Sequence, residues 1–233
     1  MKTSIVTSLL LTAIAGSLLG AEPKDDVKAA AKNLAQKPNY SWVSTPKSEG
    51  GGNAGAGAAE GKTEKSGFTY VTLSVGNADV ELAFKGAKAA IKRADEDWKS
   101  ADELEGNSAW IAKRLKEFKT PAAEAADLAE KVSELKKSGD NVYSGSLSEE
   151  GVKELFARAR RRDTGDAPEE AKGSAKFWIQ DGILTKYQYN VQGKLTVGAE
   201  KREVEVNRTT TVEIKDVGAT SVKVSDEAKK KLS

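Results

Sequence analysis

The sequence predicts an α+β fold, a strongly curved antiparallel sheet that forms a half-open β-barrel with helices packed over its concave face. Three observations support this prediction. Segments with apolar residues at every second position occur both before and after a helical middle region. Asp181-Gly182, between two such segments, is a strong signal for a two-residue hairpin. No repeat at a solenoid period is visible, so a single layered domain is expected.

Residues 1–21 have the composition of a signal peptide. Lys2 supplies a positive charge, and residues 5–19 form an apolar run that is shorter than the roughly twenty residues of a membrane span. Small residues at Ala13-Ile14-Ala15 and at Gly20-Ala21 offer alternative cleavage positions. A buried N-terminal helix is the other interpretation, but the run has no polar face. We expect residues 22–233 to form one exported domain, periplasmic or secreted.

The end of this segment resembles a bacterial lipobox in every position but the last. Leu18-Leu19-Gly20 is followed by Ala21, where a lipoprotein has its acceptor cysteine. The chain contains no cysteine, which excludes disulfides as well. These observations predict a soluble exported protein that is not lipidated and has no transmembrane anchor.

The amino-acid composition limits the classes of function that the protein can have. The 37 basic and 35 acidic residues nearly balance, which gives no indication of nucleic-acid binding. The chain has no histidine, the usual base near neutral pH and the commonest metal ligand. Its absence excludes Ser-His-Asp and Cys-His catalysis and nearly every zinc site. We therefore expect a protein that is not an enzyme and holds no metal or cofactor, although paired carboxylates or a lysine remain available for other chemistry.

A helix and then strands are predicted for the first part of the domain. Residues 24–36 are an alanine-rich amphipathic helix that ends before Pro38, and residues 40–44 form a strand. Residues 48–61 have no large side chain to bury and are interpreted as a flexible Gly/Ala-rich loop. A meander with one apolar face is then predicted from the alternating residues Val71, Leu73, Val75, Val80, Leu82 and Phe84.

The middle of the chain is predicted to be helical. Residues 100–103 have capping-box spacing, and a helix is expected from Asn107 or Ser108 through Phe118. Thr120-Pro121 begins a second helix that runs to about Lys137. A strand over residues 142–147 follows, and Ser148 caps a third helix. The predicted inward positions are Leu128, Val132 and Leu135 in the second helix and Val152, Leu155, Phe156 and Ala159 in the third.

Strands return in the last third of the chain. Residues 175–180 and 183–191 flank the Asp181-Gly182 hairpin, and residues 195–197 continue the second strand or begin a third. A long strand is predicted over residues 204–214, where apolar and polar residues alternate. The predicted ending is a short strand with Val222 and Val224 and a helical turn opened by Ser225-Asp226.

Aromatic side chains are the candidate ligand-binding residues. They either pack an ordinary core or line a cavity between the sheet and the helices, and both interpretations stay open. The candidate cavity residues are Trp42, Phe68, Tyr70, Phe84, Trp98, Trp110, Phe118, Phe156 and Trp178.

A dense cationic run supplies candidates for binding a head group. Its members are Arg158, Arg160, Arg161 and Arg162, close to Lys113, Arg114 and Lys116 if the helices are neighbours. Such a patch suits lipid head groups or an acidic partner. It equally suits a solvated helix end, where cations interact favourably with the helix dipole.

Several features of the layout occur together in one known group. They are the N-terminal helix with Tyr40-Ser41-Trp42, residues 87–92 with Trp98 soon after, the helical insert, residues 177–182 paired with 184–187, and the ending over residues 211–218 and 222–224. In this pattern the chain resembles the bacterial superfamily of exported lipoprotein carriers and lipid-binding lipoproteins, the LolA, LolB and LppX/LprG type.

The resemblance implies both a fold and a function. It implies a half-open β-barrel lidded by helices that holds acyl chains, and hence a non-catalytic binding protein for a lipid or another apolar ligand. The alternative is an envelope interaction or structural module, with an envelope protein as partner, whose concave sheet is filled by its own side chains. An apolar pocket of several hundred cubic ångströms would distinguish the first from the second.

Overall fold

The computed structural model describes residues 22–49, 57–76, 78–159, 168–197 and 202–233. Eleven strands form one antiparallel sheet that does not close on itself. They are β1 (Asn39–Glu49), β2 (Ala59–Glu64), β3 (Phe68–Val75), β4 (Ala78–Lys85), β5 (Lys88–Arg93), β6 (Lys99–Ser100), β7 (Val132–Gly139), β8 (Val142–Leu147), β9 (Glu169–Gln180), β10 (Ile183–Val197) and β11 (Arg202–Lys215).

Five α-helices accompany the sheet in the described ranges. They are α1 (Pro23–Ala35), α2 (Ala109–Lys116), α3 (Pro121–Glu130), α4 (Glu149–Ala159) and α5 (Asp226–Lys231). Two short 3₁₀ turns, Ala101–Glu103 and Gly106–Ser108, lead into α2, and the first has the capping box predicted from the sequence. Ser148 and Ser225 each accept a backbone hydrogen bond at the start of α4 and α5, as predicted.

Two meanders meet in the middle of the sheet. Its strand order is β6-β5-β4-β3-β2-β1-β11-β10-β9-β8-β7. The chain runs outward from β1 to β6, crosses over in α2 and α3, and returns from β7 to β11. The pairing of Ser41–Glu49 with Lys215–Asn207 is therefore the single junction between the two halves. This arrangement confirms the predicted α+β class with an open, curved antiparallel sheet.

Helices α1 and α3 fill the concave side over one half of the sheet. They pack on each other, and α1 contacts β7, β9 and β10. The predicted apolar stripe of α1 is buried in this core, at Val27, Ala30, Ala31 and Leu34. Helix α4 adds Val152, Leu155 and Phe156 to the same core. The burial of this stripe anchors the N-terminal helix on the C-terminal meander.

A smaller apolar cluster lies on the convex face. In β4 and β5, Ala83 and Ala90 alternate with the inward-facing Leu82 and Ile91, so they point to the opposite side. The C-terminal segment with α5 packs over them. The members of this cluster are Ala83, Ala90, Trp98, Val224, Ala228 and Leu232, with Phe68, Tyr70 and Val222 packed against it.

The predicted hairpin at Asp181-Gly182 is confirmed. Gln180 pairs with Ile183, which leaves a two-residue loop. Both loop residues have positive φ, 51° for Asp181 and 71° for Gly182. This conformation matches the right-handed twist of the flanking strands, which is why Asp-Gly is favoured there.

Three predictions about element boundaries are wrong. The helix expected from Pro121 to Lys137 ends at Glu130 and is followed by strand β7. The predicted strand at Val222 and Val224 is extended chain without a strand partner. The loop predicted over residues 48–61 is shorter, because β1 continues to Glu49 and β2 begins at Ala59.

A β-bulge explains the error at β7. Val132 and Leu135 are both buried, three residues apart, which on a regular strand would place them on opposite faces. The pairing shifts between Val132 and Glu134, so an extra residue on β7 restores Leu135 to the inner side. Because of the bulge, two buried residues of a strand are three positions apart, a spacing that is typical of a helix.

Some predictions fall outside the described residues. These are the signal peptide at 1–21, the loop tip at 50–56 and the cationic residues Arg160, Arg161 and Arg162. The division of the chain into a signal peptide and one domain over 22–233 stays a prediction.

Gly145 is expected to be essential for the bulged β7–β8 hairpin. A Cβ at Gly145 would lie 2.1 Å from the carbonyl oxygen of Glu134 and 2.6 Å from Cγ1 of Val132. We expect Gly145→Ala to lower the free energy of unfolding by about 1–3 kcal/mol, measured by urea denaturation. Gly139→Ala in the same hairpin is the control, because its nearest neighbour, Cβ of Val142, is 3.7 Å away. Equal effects of the two substitutions would contradict the explanation.

Candidate functional site

A groove of about 780 Å³ lies on the concave face where α1 does not cover the sheet. It is open to solvent on one side and lies between α2 and the helices α3 and α4. Its floor consists of inward-facing residues of six strands: Trp42, Ser44, Ala59, Val71, Leu73, Leu82, Tyr187 and Val212. Its walls are Trp110, Lys113, Arg114, Glu117, Phe118, Lys119, Pro121, Glu124, Glu154, Ala157 and Arg158. An apolar floor with a charged rim suits an elongated apolar ligand.

The Trp42 indole ring forms part of the floor. It lies across the neighbouring strand over Gly61, where an added Cβ would come within 2.1 Å of two ring carbons. Its Nε1 lies 3.4 Å from Oγ1 of Thr63, which is 3.3 Å from the hydroxyl of Thr69. The missing side chain at Gly61 thus lets a large aromatic ring lie flat and leaves the space above it open.

Two aromatic contacts position the wall formed by α2. Phe118 follows this helix and stacks on Phe84 of β4, with ring centroids 4.0 Å apart and planes inclined by 12°. Trp110 lies at the rim with 41% of its surface exposed, and the guanidinium carbon of Arg114 is 5.9 Å from its ring centroid. The stack fixes the C-terminal end of α2 to the sheet, while the exposed indole stays at the opening of the groove.

An ion-pair network holds the opposite wall. Asp127 of α3 lies 2.9 Å from Lys119, 3.0 Å from Lys131 and 3.4 Å from Arg158 of α4. Glu154 lies 2.6 Å from Arg158 and 2.9 Å from Lys131. The network joins α3 to α4. Arg158, a predicted head-group candidate, therefore lines the groove but already has carboxylate partners.

The helices α2 and α4 are neighbours, as the head-group hypothesis required. The Arg114 guanidinium donates a hydrogen bond to the backbone carbonyl of Arg158. Burial lowers the pKa of Arg114, Glu117 opposes this effect, and the positive charge of Arg208 lowers the pKa further. Arg114 and Arg158 are thus in direct contact where α2 meets α4.

A carboxyl group of α3 belongs to the wall of the groove. The hydroxyl of Tyr187, a fully buried residue of β10, donates a hydrogen bond to Glu124 of α3. Burial raises the pKa of Glu124, although this hydrogen bond and the positive charge of Arg158 act in the opposite direction. Burial and the adjacent carboxylate raise the pKa of Tyr187 well above its usual value. The pair is a polar contact between the α3 wall and the floor of the groove. Within the described ranges, no three acidic residues come together as a metal site would need.

The structure brings some of the predicted aromatic residues together and separates others. Trp42, Trp110 and Phe118 line the groove, Phe84 lies behind Phe118, and Phe156 is buried in the core beneath α4. Phe68, Tyr70 and Trp98 belong to the convex cluster. Trp178 lies on the convex side as well, because it follows the inward-facing Phe177. Lys176 and Lys186 lie 5.0 and 5.1 Å from its ring centroid.

The prediction omitted the aliphatic part of the floor. Val71, Leu73, Leu82 and Val212 contribute much of it, and all four are on strands whose period-two pattern was visible in the sequence. That alternation also separates Val71 from Tyr70 and places them on opposite faces. No sequence signal indicates the contact between Glu124 and Tyr187, because it joins distant segments.

The chain has an open antiparallel sheet with a helix-flanked groove on its concave face. This is the architecture of a helix-lidded half-barrel. Neither a known family profile nor a curated protein matches the chain. Among solved structures it is similar to the Mycobacterium tuberculosis lipoprotein LppX, with 13% identity over 87% of this chain and 98% of LppX, and a TM-score of 0.50. At this level of identity, the similarity confirms the predicted resemblance for the fold alone.

Two further solved structures are more distant. LprF from Mycobacterium bovis has 10% identity over 88% of this chain and 97% of its own, with a TM-score of 0.46. A DUF1329 family protein from Desulfovibrio piger has 8% identity over 88% and 96%, with a TM-score of 0.33. The expectation of an unlipidated exported protein stays a prediction from the sequence. Among the described residues, no helix is long and apolar enough to cross a membrane.

The close fit of Trp42 over Gly61 can be tested with a double-mutant cycle. Gly61→Ala is expected to lower the free energy of unfolding by about 1–3 kcal/mol, because the methyl group collides with the indole ring. In a Trp42→Leu background the collision partner is absent, so the same substitution should cost much less. Urea denaturation of the four proteins measures the coupling. An equal cost of Gly61→Ala in both backgrounds would rule out the proposed contact.

The environment of Glu124 predicts a pH-dependent stability. Because burial raises the pKa of the folded carboxyl, folding favours its protonated form. The associated stability is present at low pH and is lost as pH rises from the ordinary carboxyl range through the raised value. In the Glu124→Gln variant, the amide cannot ionise and still accepts the hydrogen bond from Tyr187. We expect this variant to melt a few degrees higher than the parent near neutral pH, and the difference to vanish at about pH 4.

Thermal unfolding followed by circular dichroism across this pH range measures the effect. Glu117→Gln is the matched control, because Glu117 is an exposed carboxylate of the same groove. It should leave the melting temperature unchanged. A difference for Glu124→Gln that persists unchanged at low pH would contradict the assignment.

Proposed function

We propose that this chain is an exported, non-catalytic protein that binds a lipid or another apolar ligand in the concave groove. The observation that carries the proposal is the groove itself, a space of about 780 Å³ left between the sheet and α2, α3 and α4. Its volume lies within the range of about 300–1,000 Å³ that is typical of small-molecule sites. Its floor contains four aliphatic side chains and the Trp42 ring, which offer burial rather than chemistry.

Burial of an acyl chain would supply the binding energy. Each methylene that leaves water contributes about 0.8 kcal/mol, so about ten methylenes contribute roughly 8 kcal/mol before the costs of association are subtracted. The small side chains of Ser44 and Ala59 leave room above the floor for such a chain. The family that the sequence resembles includes carriers of acyl chains, in agreement with this ligand class.

The unequal filling of the concave face favours ligand binding over a self-filled structural module. Over β7, β9 and β10 the sheet is covered by α1, whose Val27 and Leu34 are fully buried. Over β1 to β4 the space above Val71, Leu73 and Leu82 is left to the groove. A module whose concave face is filled by its own side chains would have no such opening.

Leu73 and Thr72 provide a matched pair of variants. Leu73 lines the groove, whereas the adjacent Thr72 on β3 is exposed on the opposite face. We expect Leu73→Trp to occupy part of the groove and weaken binding of a fluorescent fatty-acid probe at least about tenfold, a loss of about 1.4 kcal/mol. Thr72→Trp adds the same side chain on the convex face and should bind the probe as the parent does.

Native extraction gives an independent test. The protein purified from its own host is extracted with organic solvent, and the extract is analysed by mass spectrometry. A stoichiometric lipid in the parent extract, reduced in Leu73→Trp but not in Thr72→Trp, supports the proposal. An empty parent extract together with probe binding that is equal in both variants would overturn it.

A further inference from the structure

Arg208 interrupts the apolar inner face of β11. The inward-facing residues of this strand are Val204, Val206, Arg208, Thr210, Val212 and Ile214, which alternate with the outward-facing positions. Arg208 is the one charged member of this series. Across the neighbouring strands it stands opposite Ser48 and Val191, which offer no negative charge.

Among the described residues, none offers a carboxylate partner to Arg208. Within the described part of the chain, no acidic side chain forms an ion pair with its guanidinium. The polar residues on the outer face nearby do have partners, since Asn190 donates to Asn207 and Asn207 donates to Glu49. Arg208 is half-buried, and an anion that accepts hydrogen bonds from its guanidinium would form a charge-assisted contact there.

The position of Arg208 relates it to the groove. Val212, four residues along the same face, is part of the groove floor, so Arg208 lies roughly 13 Å farther along the strand. The positive charge of Arg208 lowers the pKa of Arg114 in the groove wall and opposes the rise in the pKa of Tyr189 in the adjacent strand. Arg208 is therefore on the same inner face of the sheet as the groove floor, beyond the residues that line the groove.

We propose that Arg208 binds the anionic head group, a carboxylate or a phosphate, of an amphiphile whose apolar chain lies in the groove. This inference rests on the proposed function and adds the chemical class and the orientation of the ligand. A guanidinium can donate two parallel hydrogen bonds to either anion, which an ammonium cannot. The apolar floor binds the chain, and Arg208 selects ligands with a negatively charged end.

Calorimetric titration of the full chain with four probes tests the inference. The probes are dodecanoate, dodecyl phosphate, the uncharged 1-dodecanol and inorganic phosphate. A charge-assisted hydrogen bond predicts that both anionic amphiphiles bind about 10- to 100-fold more tightly than 1-dodecanol. In Arg208→Met this preference should fall to less than about twofold while binding of 1-dodecanol is retained. Arg208→Lys should keep part of the preference because it keeps the charge.

Lys215→Met is the matched control. Lys215 belongs to the same strand and carries the same charge, but it is exposed and pairs with Ser41 on the opposite face. Removing it changes the net charge as Arg208→Met does and should leave the preference intact. Retained binding of 1-dodecanol by Arg208→Met shows that this variant is folded.

The outcomes separate the head-group inference from the proposed function. Equal affinity of the parent for all three amphiphiles would overturn the role of Arg208 and leave the groove as an apolar site. Inorganic phosphate that binds as tightly as dodecyl phosphate would identify a site for a free anion and overturn the inference. If Arg208→Met weakens the affinities for 1-dodecanol and for dodecanoate by the same factor, the role of Arg208 in binding the head group is also overturned. If the parent binds no amphiphile, the proposed function itself fails.

Discussion

The structure depends on the pairing of β1 with β11, the junction of its two meanders. Every other strand pair joins consecutive segments of the chain, whereas this one joins the first strand to the last. Nine opposed residue pairs form it, and a further backbone hydrogen bond of 2.8 Å links Gly218 to Asn39 beyond its end. Forming this pair brings together segments at opposite ends of the sheet-forming chain, which costs conformational entropy. Local hairpins that form first reduce this cost. Without it, the protein would be two separate sheets with no common concave face.

This junction also forms the binding surface. Ser44 and Val212 face each other across the junction, and both line the groove. Trp42, two residues before Ser44, faces Ile214 in the same way. Small residues of β2 face this part of the junction, with Gly61 under the indole ring and Ala59 opposite Ser44. The helices leave the groove open because α1 packs on the half of the sheet that contains β7, β9 and β10. The Phe84–Phe118 stack holds the end of α2 against β4.

The sequence contained the strand pattern but not the way the two ends meet. Turn residues and period-two alternation predicted most strands, because these signals are local. The extension of the second helix to Lys137 failed because a bulge gave Val132 and Leu135 a helical spacing. Aromatic side chains were selected by type, whereas alternation would have sorted them by face, with Phe177 inward and Trp178 outward. The contact of Glu124 with Tyr187 joins distant segments and follows only from the assembled fold.

The polar groups give the groove a direction. Glu124 lines the groove beside Tyr187, and burial raises the pKa of its carboxyl, so folding favours the uncharged form. Arg208, on the inner face of β11, supplies the positive charge that the proposed anionic end would contact. Because the guanidinium would contact the anionic end and the apolar floor the chain, an anionic amphiphile would bind in one orientation. The apolar floor makes no such distinction, so affinity and orientation depend on different residues of the same concave face.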